Sequence, residues 1–506
     1  MVTETHKAPY SHYLLDANMS QEIDRRTIKE MDIDGFTLME IAGSSAANKI
    51  LEMDIDRSHG IYLCGKGNNG GDALVIARYL LQNNCSATIV FLSGSDDLSP
   101  DAQKNLSLLR QFDANAQLTI YNDWDSFSPP ENIDFILDGM LGTGLDSNLR
   151  GDYTAAVNWA NNQAAPTFAA DIPTGLHADS GLVMGQAVTA DHTFAFGGRK
   201  QGFYLNEGPN RAGEITYCEL PFPNKFKDDC HTFLLDDRWI DIPSPSPGNH
   251  KYDGGVLYII AGSEGLTGAA MMAAESAWAE GIGAVMLICP KGILPIYEQR
   301  LPSIIKKPVG TRQDFCFNEN HVSQTLDIIH QKEGNVLLGP GIGRAEQTLA
   351  FVESFINQNK RDTIIDADGL WALSELSSWN KPQGSRWILT PHPGELQRLT
   401  GKNISDDRNR LEAVRDFSHH HQLTVLSKGM PGIVGTPDSA CYLTNYNTRY
   451  FARAGSGDVL AGKVSAFLTL GHQPAMSCAM GLLRGQQKLN NFLNNHQGLP
   501  EPNDFI

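Results

Sequence analysis

A chain of 506 residues exceeds what one hydrophobic core sustains, so two or three domains are expected. With 41% hydrophobic and 19% charged residues the composition is that of a globular enzyme and excludes an intrinsically disordered chain. A formal net charge of -18 without a segregated basic patch argues against nucleic acid as a partner, and no apolar run approaches the roughly 20 residues that span a bilayer.

In chain order, the pattern from Leu15 to about Leu51 is helical, broken at Asp34-Gly35, and predicts two packed helices. Short apolar strands then alternate with helical stretches: Ile61 to Cys64, Thr88 to Leu92, Phe135 to Leu137, Thr167 to Ala170 and Thr193 to Phe196. That alternation reads as a parallel α/β sheet. Prolines and charges from Pro221 to Cys230, with a second proline cluster from Pro243 to Pro247, mark a boundary, placing one domain at 1–225 and another at 226–506. In the second, the alternation restarts with Val256 to Ile260, Ala284 to Ile288, Val336 to Leu338, Thr363 to Ile365, Trp387 to Leu389 and Thr424 to Leu426. The fold class is therefore α/β in two domains. The N-terminus lacks the apolar core of a signal peptide, and the eight cysteines are scattered without a CxxC pair, so reduced thiols in the cytoplasm are expected.

Ile61-Tyr-Leu-Cys-Gly-Lys-Gly-Asn-Asn-Gly-Gly-Asp72 runs from a strand through a glycine turn into a helix. Unpaired N–H groups and the helix dipole make such a turn an anion cradle, and its asparagines and Asp72 add polar contacts that a bare phosphate loop does not need. Two more strand ends carry an acid before a glycine turn, Asp138-Gly-Met-Leu-Gly-Thr-Gly-Leu145 and Asp171-Ile-Pro-Thr-Gly-Leu176. An acid in one such loop can simply order its turn, but ligands of open α/β sheets sit at the carboxyl ends of strands, where three such loops converge. These three motifs resemble the YjeF N-terminal family, the NAD(P)HX epimerases. The resemblance implies a Rossmann-like domain with a potassium ion held by Asn69, Asp138 and the Thr174 position. It also implies substrate contacts from Asn68, Asn69, Gly70, Gly71, Asp72, Gly142, Thr143, Gly144, Leu145, Asp146, Ser147, Asn148 and Asp171, the last as candidate acid/base. Ala73 stands where the family commonly has glycine, and Ile41 replaces an asparagine.

In the second domain Gly455-Ser-Gly-Asp458 precedes a helix with Leu460, Val464, Phe467 and Leu468 on one face. N–H groups at that helix start can stabilise a phosphoryl group in transfer, and Asp458 can accept a proton from an attacking hydroxyl. Gly457, Gly462 and Lys463 match GxxxxGK by spacing alone, because Val464 occupies the magnesium-binding position and the match lies inside a helix. His250-Lys-Tyr-Asp-Gly-Gly255, Gly262-Ser-Glu-Gly-Leu-Thr-Gly-Ala269, Gly339-Pro-Gly-Ile-Gly343, Asp366-Ala-Asp-Gly369 and Leu389-Thr-Pro-His-Pro-Gly-Glu395 complete the set. Together these resemble the YjeF C-terminal family, the ADP- or ATP-dependent NAD(P)HX dehydratases of ribokinase-like α/β/α fold. The resemblance gives Asp458 the catalytic role and puts Ala269, Gly343, His392 and Asp458 on the substrate. Lys428, Gly429, Met430, Pro431, Gly432 and Gly457 would bind adenine nucleotide, with Mg2+ expected alongside it. Tyr252 replaces a usual glycine, and Met430-Pro431-Gly432 is an unusual continuation of the lysine-glycine turn.

The two resemblances imply a repair enzyme for hydrated nicotinamide cofactors, NADHX and NADPHX, that epimerises the R and S forms and dehydrates the S form with ADP or ATP; they also allow a homo-oligomer. The alternative is a sugar or vitamin kinase whose first domain only binds. His419-His420-His421 is read as a helix surface rather than a metal site, since consecutive histidines on a helix point to different faces.

Overall fold

The computed structural model describes residues 8–112, 117–238, 240–244, 254–446 and 449–506; His250 to Asp253 of the histidine-lysine motif lie outside them. Contacts divide the chain into two compact units, Met1–Phe233 and Leu234–Ile506, so the division falls beyond the expected 225/226. The reason lies in Phe226 and Lys227, whose side chains are buried in the first unit, Phe226 beneath the Arg26 guanidinium at 4.0 Å.

The first unit opens with α1 (Ala17–Met31) and α2 (Gly35–Glu52), capped by the carboxylates of Asp16 and Asp34, which accept from Met19 N–H and Thr37 N–H at 2.7 Å each. Asp32 ends α1 in the left-handed conformation. Seven strands follow: β1 (His59–Cys64), β2 (Ser86–Phe91), β3 (Leu118–Tyr121), β4 (Phe135–Gly139), β5 (Thr167–Ala170), β6 (His192–Phe196) and β7 (Glu214–Cys218). All are parallel, in the order 3-2-1-4-5-6-7. Alternate residues of β1 face opposite layers: Tyr62 and Cys64 pack with α2 and α3 (Asn68–Gln82), and Ile61 and Leu63 pack with α5 (Asp152–Asn161) after the intervening α4 (Pro100–Phe112). The order reverses between β1 and β4, which opens a crevice between the loops that follow those strands.

The second unit's sheet has ten strands: β8 (Thr232–Leu235), β9 (Val256–Ile260), β10 (Ala284–Pro290), β11 (Ile305–Val309), β12 (Asn335–Leu338), β13 (Thr363–Ile365), β14 (Trp387–Leu389), β15 (Thr424–Ser427), β16 (Ile433–Gly435) and β17 (Cys441–Thr444). Their order is 8-17-16-15-14-13-12-9-10-11. Strands β9 to β15 are parallel to their neighbours, whereas β15, β16 and β17 form an antiparallel meander. Leu257 and Ile259 of β9 pack in the core with Ala270, Ala273 and Ala277 of α6 (Thr267–Ala279) and Ala461 and Val464 of α7 (Ser456–Thr469). Among the described residues no helix is long and apolar enough to cross a membrane.

Candidate active sites

At the crevice of the first unit, α3 begins at Asn68 with no side-chain cap, which leaves its first N–H groups open to a ligand. Glycine is required at Gly70 by close approach, because a Cβ there would lie 2.0 Å from Gly65 O. Asp138, at the end of β4, is fully buried; its carboxylate accepts from Thr174 N–H and Oγ1–H at 2.7 Å each and from Met140 N–H at 3.1 Å. Burial pushes it up to about 6 against those bonds. Asn69 Nδ2 donates to Leu141 O at 3.0 Å, and among the described residues its buried Oδ1 has no hydrogen-bond partner. Asn69, Asp138 and Thr174 thus form one cluster.

Asp171, just past β5, sits at φ +63, a left-handed conformation that is strained for aspartate. Its Oδ1 accepts from Phe196 N–H at 3.1 Å and from the buried Lys200 ammonium. A cavity of about 460 Å3 opens here, lined by Asn68, Asn69, Asp72, Gly142, Thr143, Gly144 and Asp171. Burial, with Asp171 and Asp24 nearby, holds Asp72 well above the ordinary carboxylate range. Gly70, Gly71, Leu145, Asp146, Ser147 and Asn148 are not part of this lining. Asp24 and Lys200 also line the cavity and were not singled out in the sequence; a polar residue on the opening helix and a lysine after β6 carry no local motif. Ile41 faces the core rather than the cavity, packed with the α2 and α3 residues.

In the second unit, Gly455 at φ +98 turns the chain into α7, leaving Ser456, Gly457 and Asp458 as its first turn. Burial, and then the neighbouring Asp366, push Asp458 up to about 7 against the pull of Lys428. Lys428, past β15, donates to Asp366 Oδ1 at 2.5 Å; burial disfavours its charge, but Asp366 and Glu395 outweigh that and hold it above its ordinary value. Among the described residues the buried Asp366 Oδ2 has no hydrogen-bond partner. The buried Arg410 fixes the Lys428 turn by donating to Lys428 O at 3.2 Å and Pro431 O at 2.7 Å. Lys428, Gly429, Gly457 and His392 line a cavity of about 380 Å3 with Tyr446, Phe451, Arg453 and Phe505, which no motif had marked. Met430, Pro431, Gly432, Ala269, Gly343 and Asp458 are not part of this lining. Gly343 N–H donates to Asp368 Oδ2 at 3.0 Å, and Ala269 neighbours Gly341.

His392 is the N-cap of the helix Pro393–Thr400: its Nδ1 accepts from Gly394 N–H and Glu395 N–H at 3.0 and 3.3 Å, and its Nε2 lies 3.5 Å from Glu395 Oε1. Gly462 and Lys463 lie inside α7, where Lys463 pairs with buried Glu280 at 2.9 Å, so the GxxxxGK match holds no phosphate loop. His419 and His420 are exposed, whereas His421 is half-buried and stacks on Trp379 at 4.8 Å.

The fold defines a two-unit α/β protein, with a candidate site in a crevice at the carboxyl ends of the strands of the first unit and another at the start of α7 in the second. The family model of the YjeF-related protein N-terminus matches residues 35–202, and that of NAD(P)H-hydrate dehydratase matches 257–499. A bifunctional NAD(P)H-hydrate repair enzyme from Salinibacter ruber is 35% identical over 493 residues, covering 93% of this chain and 90% of its own. The Escherichia coli enzyme of that name is 28% identical, covering 89% and 84%. A Bacillus subtilis ADP/ATP-dependent NAD(P)H-hydrate dehydratase, co-crystallised with ATP and Mg2+, aligns with a TM-score of 0.45 at 22% identity over 54% of this chain and 94% of its own. The chain belongs to the family of bifunctional NAD(P)H-hydrate repair enzymes.

Proposed function

We infer that this chain repairs NADHX and NADPHX in the cytoplasm, the first unit interconverting R and S epimers and the second dehydrating the S form. The observation that carries the reading is Asp458 in the first turn of α7, with Lys428 and Asp366 acting on it. The hydroxyl of a hydrated nicotinamide ring is a poor leaving group. Phosphorylation makes it a good one, which the ring nitrogen's lone pair then expels. Asp458 takes the proton from that hydroxyl as it attacks the terminal phosphorus of ADP or ATP, giving AMP or ADP; N–H groups of Gly457 and its neighbours meet the charge that develops on phosphorus. Elimination then releases phosphate.

The nucleotide's place is the cavity of Lys428, Gly429 and Gly457, with Tyr446, Phe451 and Phe505 supplying apolar surface for a base. The orphaned Asp366 Oδ2 suits Mg2+, which takes one or two carboxylates plus phosphate oxygens and would neutralise phosphate charge. In the first unit, Asn69 Oδ1, Asp138 and Thr174 offer oxygen donors suited to potassium, which would supply positive charge beside the substrate. Asp171 and the first turn of α3 would contact the substrate itself.

The test is return of reduced-nicotinamide absorbance from an epimer mixture of hydrated NADH, with ADP, with ATP and with neither. Complete, nucleotide-dependent recovery is expected. Recovery of half would remove the epimerase assignment, and a stable phosphorylated product without recovery would replace the dehydratase with a kinase.

A further inference from the structure

The cavity of the first unit gathers three carboxylates, Asp24 from α1, Asp72 from α3 and Asp171 from beyond β5, around one buried ammonium, Lys200. Lys200 has no hydrogen to spare: it donates to Asp171 Oδ1, to Phe196 O at 3.3 Å and to Gly198 O at 3.1 Å. The other charged group of the lining is Lys66, in the loop before α3; α1 contributes no charge besides Asp24. Among the described residues no hydrogen bond or ion pair holds Asp24. Asp24 is solvent-exposed, and it lines the cavity.

We propose that Asp24 is the proton-carrying group of epimerisation, with the Lys200-bound Asp171 supplying negative charge opposite the cation that forms. The proposal rests on placing epimerase chemistry in this cavity. Asp24 gives its proton to the hydroxyl on the hydrated carbon; the C–O bond breaks, its electron pair leaves with water, and the ring nitrogen's lone pair closes an iminium. Water adds to the other face, its oxygen bonding the carbon, and the proton it sheds returns to the Asp24 carboxylate through cavity water. No oxidant or co-reactant is consumed. Crowding by protein and then Asp171 push Asp24 up to about 6, so it keeps a proton further toward neutrality than an ordinary aspartate. Substrate that displaces cavity water strengthens the shift.

The experiment uses the full chain with nucleotide and an epimer mixture, where the slow second phase of cofactor recovery reports epimerisation. Asp24→Asn is expected to slow that phase at least about 100-fold while leaving the fast phase unchanged. Wild type, corrected for the uncatalysed rate, is expected to lose second-phase rate as pH rises from 6.5 to 9; Asp24→Glu restores both rate and slope, and Asp24→Asn is flat. An Asp24→Asn second phase within about threefold of wild type overturns the proposal. So does loss in both variants, which would mark Asp24 as structural. Wild type that converts only one epimer overturns the epimerase reading along with it.

Discussion

To act as the proposed base, Asp458 must be ionised, yet its surroundings favour the neutral acid. With the carboxyl pushed up to about 7, the dehydratase turnover rate is expected to rise with pH through about 7 and level off above it, as a pH-rate profile under saturating substrate would show. Asp458→Asn is expected to cut turnover by 100-fold or more. The sign for stability runs the other way. A folded-state value above the unfolded one means the native chain holds the extra proton at low pH and loses that advantage as pH rises through 7. The asparagine variant is therefore expected to gain about 1–2 kcal/mol over wild type at pH 8 and little at pH 5, read from denaturant unfolding.

Two elements owe their geometry to single contacts. The first turn of α3 comes so close to the β1 loop that a Gly70 Cβ would meet Gly65 O at 2.0 Å, and backbone cannot move aside as a side chain can. Gly70→Ala is expected to cost about 3 kcal/mol and to impair epimerisation without slowing dehydration, separable in the two-phase assay. Helix α7 carries Lys463 inward onto Glu280, both almost wholly buried, with Arg484 completing the cluster at 3.1 Å. Glu280→Ala leaves a buried ammonium uncompensated and is expected to destabilise the second unit by about 3–5 kcal/mol. Thermal unfolding with and without nucleotide would register the loss.

On the scale of the molecule, the proposed sites lie in two separate cores, so each is expected to answer to its own ligand. Potassium is expected to raise the unfolding transition of the first unit, an effect lost in Asn69→Ala. ADP or ATP is expected to raise that of the second, by about 2.7 kcal/mol at a hundred times its Kd. Equal shifts of both transitions by either ligand would contradict the assignment of sites to units. Joining the activities on one chain has a chemical reason: hydration yields two epimers, and a dehydratase shaped for one strands the other.

The strands of both units were legible where continuous apolar runs end in glycine turns; Thr167 to Ala170, Val256 to Ile260, Thr363 to Ile365 and Trp387 to Leu389 form strands over those same residues. Segments such as Glu214–Cys218, Ile305–Val309 and the meander Ile433–Gly435 with Cys441–Thr444 carry no such signal. Their strand character comes from pairing with a formed neighbour rather than from their own pattern. Asn69, Asp138, Asp171, Lys428 and Asp458 were legible because each sits beside a glycine turn at a strand or helix end, where short-range sequence and site geometry coincide. Asp24, Lys200, Asp366 as partner of Lys428, Arg410 and the Tyr446–Phe451–Phe505 wall were not, since each reaches its site across many residues of chain. Local sequence thus determined the loops that carry chemistry, and tertiary packing alone decided which distant charges surround them, because burial and proximity, not residue type, set a group's protonation and partners.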